Sequence, residues 1–354
     1  MRALLNQVAN LRGGGDLANR KKVEELVRQL HQLGCTDPLF RYLHTRYGDQ
    51  STRHEDLSAA LRAASQGLRD SDYDALEKFW ATYRTASQLK DKSRSKAPQE
   101  AVALFRTAVD LLATAFGNQE LLADEVGSTS EELLIALKFD PAEYRAAWDK
   151  LVPLMTLHWP NSPHVLLAIG WGHLDRAWMA RGNGYANTVT KEGGEGFVRE
   201  MDQAEVCLTK SWSLEAMHRT THQMMRLELG QGEGRKRMEL WFSRAMAMAP
   251  DDYEACVDKL RYLMPRWYGD HDEMLKFGCR CLTHPRWKGR VPLTLMRAHE
   301  FIAQSLPAED QPAYWRKKEV WFDVRNSFER YFELNPENVS WRHNYAWFAW
   351  RAQD

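Results

Sequence analysis

Two groups of side chains have residue types suited to metal or proton chemistry. Cys279 and Cys281 lie near His271 and His284, which together offer the thiolate and imidazole donors of a zinc centre. Residues two apart on a helix project about 200° from each other, so the two thiolates do not face one ion. They read instead as small apolar thiols. His173, in GWGHLDRAW, has Asp175 and Arg176 beside it. An imidazole there titrates in the range of a general acid or base, but a hydrogen-bonded helix histidine is the plainer reading. No His-Glu-x-x-His helix, Gly-x-Ser-x-Gly elbow or Walker loop occurs. Asp251 and Asp252, adjacent after Pro250, read as a helix cap or solvated turn. No catalytic residue, metal or cofactor is assigned from these patterns.

The totals narrow the classes further. Forty-eight basic and 48 acidic side chains cancel to a formal charge of zero, which gives no global steering toward phosphate backbones or anionic membranes. Nucleic acid and membrane are therefore not the expected partners. The five cysteines are scattered without a Cys-x-x-Cys pair, which suits a reducing compartment rather than a disulfide framework. The first residues lack the apolar run of a signal peptide. No stretch approaches the roughly 20 apolar residues of a membrane span, and a cytoplasmic protein is expected.

Whatever function exists must be positioned by helices. Apolar residues recur at intervals of three and four, while alternating strand patterns are nearly absent. DLANRKKVEELVRQLHQLG reads as a helix with Asp16 as N-cap and Gly34 as stop, and Pro38 opens the next. A basic, serine-containing linker is expected near 89–100, within LKDKSRSKAPQE. Further along, WFSRAMAMAPDD carries Phe242, Ala245 and Pro250, and the same intervals return at Leu208, Ser211 and Ala216, at Phe277, Arg280 and Pro285, and at Phe328, Tyr331 and Pro336. Two of the offsets are 34 and 35 residues. In a helical hairpin repeat the large residue fills the seam between hairpins, the small one permits close approach, and proline ends the second helix. This pattern resembles the tetratricopeptide repeat, and Ile169 and Gly170 match the apolar-glycine order of its first helix.

The segments AWMARGNGYANTVTKEGGEGF, DYDALEKFWATYR and LRYLMPRWYGDHDEML resemble a family of uncharacterised bacterial proteins, of the DUF4034 type, with tetratricopeptide-like hairpins. The likeness runs from about Asp56 to about Trp350. It implies an all-α fold of helical hairpin repeats, a tetratricopeptide-like α-solenoid, and no established activity. The expected organisation is an N-terminal helical region over 1–115 and a repeat domain over 116–354 with a long inserted loop at 182–197.

Two segments stand out as contact surfaces. RGNGYANTVTKEGGEG, polar and glycine-rich, is longer than ordinary connections between bundled helices, and such loops often carry function. It lacks the third glycine, the lysine and the preceding strand of a nucleotide fingerprint. Arg181, Tyr185, Asn187 and Thr188 are its candidate contact residues. In PRWYGDHDEM, Asp270 is placed to cap a helix, while Trp267 and Tyr268 offer aromatic area at low ordering cost, with Arg266 beside them as a further candidate contact residue; a wedge between hairpins is the plainer reading of the rings. The expectation is a non-enzymatic scaffold that binds a protein or peptide in a concave groove, as an adaptor, regulator or toxin-neutralising protein. An enzyme of unknown class with a site near 177–197, using His173, Asp175 or Arg181, is the first alternative. A structural assembly subunit is the second, joined through the terminal aromatics Trp341, Tyr345, Trp347, Phe348 and Trp350.

Overall fold

A computed structural model describes residues 17–47, 54–91, 97–182, 184, 188–232 and 234–353. Among these residues there are 17 α-helices, one short 3-10 turn and no strand. Asp16, Tyr185 and Asn187, and residues 92–96 of the linker expected near 89–100, lie outside the described residues. The fold is all-α, of the helical-repeat, α-solenoid class, with helices packed on their sequence neighbours and on the next helix but one.

The helices form two compact units, residues 1–168 and 169–354. The first contains α1 (Leu17–Gln32), α2 (Pro38–Tyr47), α3 (His54–Arg69), α4 (Ala75–Asp91), α5 (Gln99–Gly117), α6 (Ala123–Leu137) and α7 (Pro141–His158). The second begins within α8 (Pro163–Arg181). The division drawn from the sequence at 115/116 instead falls inside α5. Helix α5 packs on both α4 and α7, with Phe105, Leu112 and Phe116 fully buried, so its apolar face belongs to the first unit. Pro38 begins α2, and Asp37 Oδ1 accepts the Leu39 amide at 2.8 Å. Gly34 follows α1 with φ +64°, the left-handed conformation that stops helices.

The second unit continues with α9 (Lys191–Leu214), α10 (His218–Gln231), α11 (Arg235–Met248), α12 (Tyr253–Tyr262), α13 (His271–Thr283), α14 (Thr294–Ser305), α15 (Gln311–Trp315), α16 (Lys318–Leu334) and α17 (Arg342–Ala352). The sequence rhythm maps onto it directly. Leu208, Phe242, Phe277 and Phe328 sit on α9, α11, α13 and α16, and all are buried. Their helices end two residues before Ala216, Pro250, Pro285 and Pro336, as expected where proline removes an amide donor and disfavours helix in the residue before it. Phe242 meets Phe277 edge-on at 5.4 Å. A Cβ on Gly170 would lie 2.7 Å from Leu208 Cγ, so this glycine lets α9 seat its large residue against α8. Alternate helices α10, α12 and α14 also touch, the contact pattern of stacked hairpins. Between Phe277 and Phe328 the interval grows to 51 residues, because the 3-10 turn Val291–Leu293 and short α15 are added there.

The long loop expected at 182–197 is shorter than the sequence suggests. Helix α9 starts at Lys191, with the Thr190 hydroxyl accepting the Gly193 amide at 3.0 Å. Gly193, Gly194 and Gly196 are therefore helical. A Cβ on Gly193 would sit 2.7 Å from the Ala180 carbonyl oxygen, and one on Gly196 3.2 Å from Ala180 Cβ. Gly193 and Gly196 serve close approach of α9 to α8 rather than loop freedom. At the other end of the unit, Phe348 of α17 is buried against Trp315 and Phe328, while Trp350 is 73% exposed.

Candidate functional site

The two segments singled out in the sequence meet in the second unit. Trp178, on the last turn of α8, and Trp267, in the turn between α12 and α13, cross edge-on with centroids 5.8 Å apart. Phe197 of α9 closes on Trp178 at 5.3 Å. The Arg181 guanidinium lies 5.7 Å from the Trp178 ring and 5.8 Å from the Trp267 ring, and that of Arg266 lies 6.0 Å from Trp267. All three fall within cation–π range. Arg181 also donates to the Gly184 carbonyl at 3.1 Å, which ties the start of the 182–190 connection to the aromatic pair. Both tryptophans are half-buried, and Arg266 is exposed without a carboxylate partner among the described residues.

Tyr268 flanks this pair, its ring 6.4 Å from that of Trp267. Its hydroxyl donates to the Leu229 carbonyl at 3.3 Å, and its ring lies 4.7 Å from Tyr262. It also covers the left-handed C-cap Gly232, where any Cβ would collide with the phenol. Tyr268 is nevertheless 40% exposed. Thr188 is exposed too, with its hydroxyl over Gly184. Arg181 and Arg266 both lie over the Trp267 ring with Tyr268 beside it, and Tyr185 and Asn187 are outside the described residues. Asp270 caps α13 through the Glu273 amide at 2.8 Å, while the Glu273 carboxylate pairs with Arg235.

The polar residues considered for catalysis separate into other contacts. His173 Nδ1 and Arg176 hold the two oxygens of Glu200 at 2.7 and 2.9 Å, and Asp175 faces Arg226 at 3.0 Å. Burial alone would raise the Glu200 pKa, but hydrogen bonds from His173 and Arg176 outweigh it and hold the carboxyl at about 2. This is a charge-paired seam between α8 and α9. Cys279 is exposed and Cys281 buried, the opposed directions expected of residues two apart.

A second constellation, not assembled from the sequence, joins α10 to α12. His218 and His222 are one turn apart at the start of α10. The Nε2 atoms of both point at Asp252 Oδ2, at 2.7 and 2.9 Å. Asp252 caps α12, its other oxygen accepting the Ala255 amide at 2.9 Å. Asp258, farther along α12, lies 3.3 Å from His222 Nδ1. Burial opposes the charged imidazole of His222, but hydrogen bonds to Asp252 and Asp258 prevail and raise its pKa to about 9. Asp252 is pushed up by burial and pulled down further by His222 and the Ala255 amide, so it stays ionised below the ordinary range. The sequence signal that could have found half of this group is the His-x-x-x-His spacing. Asp252, adjacent to Asp251 after a proline, reads from sequence as a cap, and it is one.

An open depression of about 840 Å³ lies along α11 and α13, lined by Arg235, Glu239, Glu273, Lys276 and Arg280 among others. Much of its charge is already paired, Arg235 with Glu273 and Glu239 with Lys259. Lys259 is itself buried, its ammonium 4.1 Å from the Phe242 ring centre and 4.7 Å from that of Phe277.

These helices and this aromatic-guanidinium cluster define a helical-repeat protein. Over residues 227–285 the chain matches a family model described as a domain of unknown function, DUF4034. That segment, from α10 to the end of α13, contains Phe242, Trp267 and Phe277, and it bears out the resemblance seen in the sequence over this narrower range. No curated protein matches the chain. No helix among the described residues is long and apolar enough to cross a membrane.

Proposed function

We propose that this chain is a non-enzymatic helical-repeat scaffold that binds a protein or peptide segment, with Trp178, Arg181, Arg266 and Trp267 at the contact face. The observation that carries the reading is the convergence of two turns, about 90 residues apart in sequence, on a half-buried tryptophan pair bracketed by two guanidinium groups. Aromatic and arginine side chains dominate the binding energy of protein interfaces, and rings already held by neighbours lose little freedom on binding. The arginines favour a partner segment carrying carboxylates beside apolar side chains.

The test compares capture of partners by the wild-type chain with capture by Arg266→Ala and by Arg181→Ala/Arg266→Ala, from extracts of the organism that makes the protein. The expected result is loss of a reproducible protein partner with melting temperature and helical circular dichroism unchanged. Equal capture by all three chains would refute this face as the contact surface.

A further inference from the structure

We propose that His218, His222 and Asp252 form a binding site for one first-row divalent cation of the zinc class, with Asp258 as the outer carboxylate that fixes His222. This site stands apart from the aromatic contact face. Among the described residues these three side chains form a group whose donor atoms all lie within 4.8 Å of one another. The two imidazoles come from positions i and i+4 of α10, the spacing that puts two histidines on one helix face toward one ion. The carboxylate comes from the N-cap of another helix, so an ion here would clip α10 to α12.

Three features argue for a built site. Asp252 Oδ1 is held by the Ala255 amide, which leaves Oδ2 aimed at both Nε2 atoms. Its side chain is 5% exposed, so its direction is fixed by the fold. Asp258 Oδ2 lies 3.3 Å from His222 Nδ1, the arrangement in which a carboxylate takes the N–H of a ligating histidine and orients its other nitrogen. At the outer edge His218 is 35% exposed, which opens the site to solvent. Zinc bound at about 2.0–2.2 Å to each donor sets tetrahedral ligands roughly 3.3 Å apart. The 2.7 and 2.9 Å separations from Asp252 to the imidazoles need to widen by only about half an ångström to reach that spacing. Two nitrogens and one oxygen favour zinc, cobalt or nickel over calcium or magnesium, which take oxygen donors. Three protein ligands leave a fourth position for water or an incoming side chain.

The same side chains close into an ion-paired network without a cation, so the experiment must separate the two. The full untagged chain, stripped with chelator, is titrated with Co(II) while visible absorption is recorded. The expected result is one equivalent bound with the intense ligand-field bands of a four-coordinate nitrogen and oxygen site, displaced by Zn(II). Asp258→Asn should weaken binding by about 10- to 100-fold, and His218→Gln should abolish the bands. His218→Gln changes the most exposed ligand and keeps His222 with both carboxylates, so it carries the test even where His222→Ala does not fold. A weak six-coordinate spectrum, a sulfur-to-metal charge-transfer band, or undiminished binding by His218→Gln would each overturn the proposal.

Discussion

Raising pH through the range of His222 should loosen the contact between α10 and α12 by an amount the structure sets. The imidazole is held between Asp252 and Asp258 and its pKa is raised from 6.5 to about 9. A folded-state pKa above the unfolded one stabilises the folded chain fully below pH 6.5, and the contribution disappears as pH rises through about 9. At about 1.4 kcal/mol for each tenfold change in proton affinity, this displacement corresponds to about 3 kcal/mol. His222 is 18% exposed, so solvent screening removes little of it. The perturbation is His222→Gln, and the assay is urea unfolding of wild type and variant in steps from pH 6 to pH 10, with chelator present. Taking the difference at each pH cancels the other titrating groups. The wild-type advantage should be about 3 kcal/mol larger at pH 6 than near pH 10. Asp252 has the opposite sign, since its depressed pKa contributes stability that is lost only as acid protonates it. A difference between the chains that stays constant from pH 6 to pH 10 would refute the ion-pair reasoning.

Three further outcomes follow from the packing. Phe277→Ala, which empties a seam position 1% exposed, should cost about 3–5 kcal/mol in denaturant unfolding; a loss below about 1 kcal/mol would mean that Phe277 does not plug the seam. Gly278→Ala should destabilise by about 1–3 kcal/mol, because its Cβ would lie 2.7 Å from Leu295 Cα, whereas Gly67→Ala in open space on α3 should gain about 0.5–1 kcal/mol. Thermal melts of the two variants shifting in the same direction would contradict the close approach of α13 and α14. Burial lowers the Lys259 pKa despite Glu239, so Glu239→Gln, which leaves the buried ammonium without its carboxylate, should cost about 2 kcal/mol and Lys259→Met less. The reverse order in urea titrations would show that the Phe242 and Phe277 rings, rather than Glu239, hold the ammonium.

The sequence made some of this legible because single residues impose local geometry. Pro250, Pro285 and Pro336 each follow a helix end by two residues, since proline has no amide to donate. Phe242 and Phe277 declared the seam because a large apolar residue recurred at hairpin spacing. Gly193 and Gly196 misled because a glycine that frees a loop and one that admits a neighbouring helix look alike in sequence; only the position of Ala180 separates them. Trp267 was readable as an aromatic with two roles. Its choice of Trp178 as neighbour depends on how α8, α12 and α13 stack. The histidine cluster was hidden for a related reason: His218 and Asp252 are 34 residues apart and meet only when successive hairpins come into register.

The most direct test of the scaffold reading is site-specific photocrosslinking. A photoreactive amino acid is placed at Arg266, at the aromatic face, and in a second chain at Phe322, which is 63% exposed on α16. After irradiation in the organism that makes the protein, the crosslinked bands are identified by mass spectrometry. The account predicts a discrete crosslink to one protein partner from position 266 and none from position 322. Crosslinks of equal intensity from both positions, or none from 266, would contradict it.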